Sequence, residues 1–282
     1  MANPITHSDS SHRTVLHPGV ELRWPASALW REGEPAVRRI TTADIWSSLA
    51  QGIDDFRAVP THAVFACIIY PVVGIVLARL LFGYEILPLI YPMAAGFALL
   101  GPFAAIGLYE LSRRREQGLD LAPQRALDVI HRPGIGGIWL LGFVLAMIFV
   151  GWLYAANLIH TQLFGGEAKS PAEFFNQLTT TAEGTQLIVV GNVVGFVFAL
   201  IVLVISVTSF PMLVDRDVSA ATAVRTSVRA AIENPIPIAL WGLIVLLGLL
   251  LGALPFLVGL AVVLPILGHA TWHLYRKLVP PE

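Results

Sequence analysis

Charged residues are scarce in this chain. Only 13% of its 282 residues are Asp, Glu, Lys or Arg, against about 25% in an ordinary soluble domain. Cysteine is scarcer still. Cys67 stands alone inside an apolar run, which excludes an internal disulfide and leaves the redox compartment unmarked. A net charge of −1 excludes the basic surplus by which a chain holds nucleic acid. The first forty residues lack a continuous apolar stretch, so no signal peptide is visible. Absent too are a phosphate-cradling glycine loop, GxSxG, HExxH and a carboxylate within any long apolar run. An enzyme or a proton-coupled carrier usually shows at least one of these. The expectation is therefore no enzyme, no catalytic residue and no cofactor.

What is present is apolar. Hydrophobic residues make up 56% of the chain and the mean hydropathy is +0.72, with the charge deficit concentrated in long uncharged runs. That pattern reads as an all-α, polytopic membrane protein. Residues 1–40 form an N-terminal arm: 1–20 are rich in Ser, His and Pro and read as disordered. Residues 21–40 mix aromatics with arginine, as a segment at a membrane interface does. Residues 41–278 form the membrane domain.

The membrane domain is organised around 211–235. Counting back from Pro235, positions −14, −11, −7 and −4 are Ala221, Val224, Val228 and Ala231, with Ile232 beside the last. They make one helical stripe, and Arg225 and Arg229 lie beside it. Ser219 is the expected N-cap and Asn234-Pro235 the stop. This is an amphipathic helix between two spanning runs. The same offsets from Pro60 give Trp46, Leu49, Ile53 and Phe56, in a segment capped by Thr41 or Thr42. From Pro133 they give Leu119, Ala122, Ala126 and Val129. A triplicated unit is one reading; three surface helices that merely share a stripe is the other.

Two spanning runs follow each proline, six in all, as three hairpins at about 61–109, 136–210 and 236–275. Each run is of about the 20 residues that a bilayer core of roughly 30 Å requires at 1.5 Å per residue. The last pair is the tightest fit; without it the chain has four passes and a re-entrant pair. The loop 161–184 is expected to hold a short helix starting at Ser170-Pro171. Arginine collects at one end of the runs, from Arg38 and Arg39 through Arg113, Arg114, Arg115 and Arg132 to Arg225, Arg229 and Arg276. By the positive-inside rule, both termini and all three amphipathic segments are expected to be cytoplasmic.

His269 and His273 stand i,i+4 on the last helix, a spacing that can share a metal or offer a ligand to haem, with His62 as a further candidate. The alternative is an interfacial anchor built from Trp272, His273, Tyr275, Arg276 and Lys277, with His269 hydrogen-bonded to a neighbour. Asn157, His160 and Asn192 are polar groups in the outer halves of the second hairpin. They mark a pathway or bond helix to helix. Arg113, Arg114 and Arg115 are candidates for anionic lipid headgroups, or simply set topology. Gly191 with Gly195, and Gly248 with Gly252, match the GxxxG spacing of closely packed helices.

Several stretches together resemble a known family. They include Gly101-Pro102-Phe103 through Gly107-Leu108-Tyr109-Glu110-Leu111-Ser112-Arg113-Arg114, and Phe210-Pro211-Met212-Leu213-Val214-Asp215-Arg216. To these add Ala223 through Ser227, Asn234-Pro235, Trp241-Gly242 and Gly268-His269-Ala270-Thr271-Trp272-His273-Leu274-Tyr275-Arg276. The set is similar to bacterial predicted integral membrane proteins, domain of unknown function 2189, over roughly 40–278. The resemblance implies a six-pass protein of the inner membrane and brings no established activity. The function expected is that of a non-enzymatic accessory, assembly or membrane-organising protein, with the lipid bilayer and a larger membrane complex as partners. The alternatives are a small-solute transporter or channel, and a haem- or copper-binding protein.

Overall fold

The computed structural model describes residues 35–59, 61, 87–165, 170–254 and 257–281. The arm to residue 34, the run expected at 61–82 beyond Thr61, and His62 therefore lie outside the described residues. Those described belong to one unit, Pro35–Glu282, and all their regular structure is helical.

α1 spans Thr42–Ala58 and α2 spans Leu87–Phe97. A 3-10 turn at Ala98–Leu100 leads to the single turn α3, Gly101–Ala104, and on to α4, Ile106–Glu116. Pro102 lies in the first turn of α3, where its missing N–H costs least, and the chain restarts its helix there. A 3-10 segment, Pro123–His131, precedes α5, Ile135–Phe164. Then come α6, Pro171–Thr180, α7, Ala182–Ser206, α8, Ser209–Asp215, α9, Ala220–Glu233, α10, Pro235–Ala253, and α11, Leu260–Leu278.

Among the described residues, four stretches are long and apolar enough to cross a bilayer: Pro88–Glu116, Ile135–Phe164, Ala182–Asp215 and Pro235–Ala253. α11, expected as the last pass, is not among them. Its second half carries His269, Trp272, His273, Tyr275, Arg276 and Lys277, and much of it is buried in protein. Of the six expected passes, four are thus represented by stretches of spanning length, and most of the run expected at 61–82 lies outside the described residues.

Tight packing in the spans is set by glycine facing large rings. α5 presents Ile138, Leu141, Leu145, Trp152, Ala156 and His160 along one buried stripe, at the helical spacing of a single face. A Cβ on Gly96 of α2 would meet Trp152 at 2.6 Å, and one on Gly195 of α7 would meet the same ring at 3.0 Å. Trp152 therefore fills the seam between three helices, and its indole N–H donates to the Pro92 carbonyl at 2.8 Å. Gly195 of the first GxxxG pair packs in this way, while Gly191 faces open space. In the second pair, Gly248 faces Val263 and Leu267 and Gly252 faces Leu260, which closes α10 onto α11.

The caps fall where side-chain chemistry places them. Asp44 accepts from the Thr41 N–H and hydroxyl, both at 2.8 Å. Ser170 accepts from the Glu173 N–H at the start of α6, and Ser219 from the Thr222 N–H at the start of α9. The three amphipathic segments are not equivalent. Those before Pro60 and Pro235 are α-helices, whereas the one before Pro133 is extended after Gly118 and then 3-10 from Pro123. Gly118 is left-handed, with φ of 65°, and ends α4 as such a glycine does.

α1 buries the stripe of Ile45, Ser48, Gly52 and Asp55 in protein, while Leu49, Ile53 and Phe56 of the apolar stripe are half-buried and Trp46 is exposed. The reason is α11: a Cβ on Gly52 would lie 2.6 Å from Ala270, so the small and polar stripe alone allows this approach.

Candidate functional site: a buried carboxylate and imidazole cluster

α1, α4 and α11 converge on Asp55, which is only 3% exposed. Gly52 admits α11 from one side, and Gly268 lets α11 close on Leu108 of α4. Asp55 Oδ1 accepts from Arg115 at 2.5 Å. Its Oδ2 accepts from the Ser112 hydroxyl at 2.5 Å and faces His273 Nε2 at 2.8 Å. The Ser112 oxygen also lies 2.7 Å from His269 Nδ1. A hydroxyl has one proton to give; Ser112 gives it to Asp55, so His269 Nδ1–H must be the donor to Ser112. His269 is fully buried and its Nε2 has no partner, which fits the neutral ring with its proton on Nδ1. Burial pushes the Asp55 carboxyl up, but hydrogen bonds from His273 and Ser112 outweigh it and hold its pKa below the ordinary carboxylate value.

Two further charged knots adjoin this one. Glu110, 1% exposed, receives the fork of Arg113 at 2.9 and 2.8 Å and Arg132 at 3.1 Å. Arg114 bonds the Asp120 carbonyl and Asp128, which ties the 3-10 segment to α4. On α11, Tyr275 and Arg276 both donate to Asp215 of α8 at 2.7 Å, while Trp272 and Arg276 donate to Glu116 at 3.0 and 2.9 Å. Asn234, buried between α9 and α10, accepts from Ile40 N–H at 2.7 Å and donates to the Arg38 carbonyl at 3.1 Å. The segment before α1 is thereby fastened to the turn before α10.

The candidate residues other than His62 each have a definite place. His269 and His273 face the same carboxylate, and among the described residues no group of three His, Cys, Asp or Glu side chains is arranged to hold a metal ion. Asn192 accepts from the Tyr91 hydroxyl at 2.8 Å and donates to the Ile188 carbonyl, so it bonds α7 to α2. His160 is buried beside Phe164 and Phe174, joining α5 to α6, and Asn157 is exposed on α5. The arginine triplet is engaged with carboxylates. Arg113 is 7% exposed and closed on Glu110; Arg114 is held on Asp128, and Arg115, with its side chain 37% exposed, on Asp55.

The residues missed by sequence reasoning are the acceptors: Asp55, Glu110, Ser112, Glu116 and Asp215. Asp55 continues the small, polar stripe of Ser48 and Gly52 on an otherwise amphipathic helix. Glu110 precedes three arginines at helical spacing. Those were the available signals.

A family described as predicted integral membrane proteins, DUF2189, matches residues 90–215. Those residues belong to this family. The DUF2189 segment runs from α2 to the end of α8, so it contains Glu110, Ser112, Arg115, Glu116 and Asp215. Asp55, His269 and His273, which complete the cluster, lie outside it. No curated protein and no solved structure matches the chain.

Proposed function

We propose that this chain is a non-enzymatic protein of the bacterial inner membrane that supports the assembly or organisation of a larger membrane complex. The observation that carries the reading is where the chemically able side chains go. Asp55, Glu110, Glu116 and Asp215 each bind groups from another segment, and these bonds fix helices to one another. Such networks serve position and register better than turnover. They give the spans a rigid charged cap on which a partner can dock.

The finer topology belongs to the same proposal. Six passes arise if residues 61–82 cross and α11 returns beside α10, which the packing of Gly248 on Leu267 supports. The arginine-bearing cap is then cytoplasmic by the positive-inside rule, and α6 with Glu173 lies on the other side. The test is to extract the tagged protein in mild detergent, crosslink, and identify what co-elutes. A specific membrane-protein partner is the expected result. A monodisperse single chain carrying neither a specific protein nor a specific lipid overturns the proposal.

A further inference from the structure

α9 is amphipathic, yet its two faces are assigned in an unusual way. The buried face is small and polar: Ala223, Thr226, Ser227 and Ala230. Ser227 donates to the Val204 carbonyl at 2.8 Å and accepts from the Thr208 N–H at 3.3 Å. It thereby fills the break between α7 and α8. At its other end, Ala220 lies against Gly137 in the first turn of α5. α9 is thus fixed across the points where two spanning helices meet the cap.

On the opposite side Ala221 and Ile232 are exposed, while Val224 and Val228 between them are half-buried and Val224 packs against the core. Ile232 is 57% exposed, and one turn later Ile236 of the spanning helix α10 is 72% exposed. The exposed apolar end of α9 therefore continues onto the lipid-facing side of a span. Arg225 and Arg229 sit one turn apart along its edge, and Arg229 bonds Glu233 at 2.7 Å. An apolar stripe edged by arginine is the pattern of a helix lying in a bilayer interface, where each basic side chain is attracted to anionic headgroups.

We propose that the outward face of α9 is a binding surface for the anionic bilayer. Ala221, Ile232 and the outer edges of Val224 and Val228 meet the acyl boundary, and Arg225 and Arg229 lie at the level of the phosphates. The continuity with α10 selects lipid as the occupant, and two arginines against the one carboxylate of the helix, Glu233, select anionic headgroups. This inference rests on the membrane-spanning reading of α5, α7 and α10.

The test uses the full chain with Cys67→Ala, one copy per nanodisc, and a spin label at a single introduced cysteine. Labels at Ile232→Cys and, as a second site, Ala221→Cys are compared with Leu250→Cys on the exposed side of α10 and Asp217→Cys in the loop before α9. Discs are made of phosphatidylcholine with or without phosphatidylglycerol. The expected result is an oxygen-to-nickel accessibility ratio at 221 and 232 severalfold above that at 217 and approaching that at 250. That ratio should rise with phosphatidylglycerol, and the rise should vanish in Arg225→Gln/Arg229→Gln. Water-like labels at 221 and 232 beside a lipid-like 250 overturn the α9 proposal alone. A water-like 250 overturns the spanning reading beneath it. Equal ratios in both lipids overturn the assignment to anionic headgroups. Labels that are water-like in discs and shielded only in native membranes identify a protein occupant, and lipid is then ruled out.

Discussion

The spans and the cap are held together by different forces, although α4, α7–α8 and α10 run through both. In the spanning windows only 6–22% of residues are buried within the protein, with the fewest along Ala182–Asp215. Lipid does not drive apolar helices together. The bundle therefore depends on a few close fits, such as Trp152 between Gly96 and Gly195. The cap instead buries Asp55, Glu110 and His269 with their partners, and each carboxylate there joins segments distant in the sequence. Shape complementarity is enough where solvent is oil; where water competes, the chain uses forked, charge-assisted hydrogen bonds that fix one arrangement.

The contrast breaks most sharply at Asp55. Asp55→Ala leaves Ser112, His273 and Arg115 facing a vacancy, and removing one partner of a buried ionic network costs about 3–5 kcal/mol. Arg115 is 37% exposed on its side chain and can recover water, so the lower end applies. Thermal unfolding in detergent should show that loss, with protease cutting first in α1. Leu251→Ala, on the lipid-facing side of α10 where the side chain is 65% exposed, should stay within about 0.5 kcal/mol of wild type. Equal effects at the two sites would erase the distinction.

A matched pair sharpens it. Trp272→Phe removes the indole donor to the Glu116 carboxylate, a charge-assisted bond worth about 1.5 kcal/mol or somewhat more. Trp152→Phe removes the donor to the Pro92 carbonyl within the spans, where such bonds average about 0.6 kcal/mol. Denaturation of the two variants side by side measures the difference directly. Both changes also lose the same ring volume from a buried seat, so the cap change should cost about 1 kcal/mol more than the span change.

Acid gives a third handle. Asp55 in the folded protein holds its proton less tightly than in the unfolded chain, because its folded pKa is lowered by the hydrogen bonds from His273 and Ser112. The unfolded state therefore takes up protons first on acidification. The stabilisation is fully present above the ordinary carboxylate range and is lost as pH falls through it toward the lower folded value. A stability profile from pH 6 to pH 3 should drop at its acid end, and Asp55→Asn should flatten that part of the drop.

The two regions were also unequally legible. The spans at 136–160, 185–210 and 236–252 follow from uninterrupted apolar runs, and α9 follows from Ser219, its stripe and Asn234-Pro235. These are signals within one segment. The cap is made of pairs such as Asp55 with His273 and Asn234 with Ile40, separated by 218 and 194 residues, and no local period encodes them. The packing face of α1 is of the same kind. Its apolar stripe is the stronger pattern, but it is the stripe with Gly52 at its centre that lets α11 come within contact. The arginine triplet was visible as charge, while the inward turn of Arg113 depends on Glu110 one helical turn earlier and Arg132 beyond a 3-10 segment.

Among the hydrogen-bond changes, the smallest expected effect lies at Tyr91. Tyr91→Phe deletes the hydroxyl that reaches Asn192, a bond between α2 and α7 among side chains that are themselves exposed. Asn192 keeps its amide donation to the Ile188 carbonyl at 2.7 Å, so the loss strands no buried donor. The cost should be about 0.6 kcal/mol or less, below that of Trp272→Phe in the same detergent. A larger loss would mean that polar bonds between the spans hold this protein as firmly as the carboxylates of the cap. Shape alone would then no longer account for the bundle.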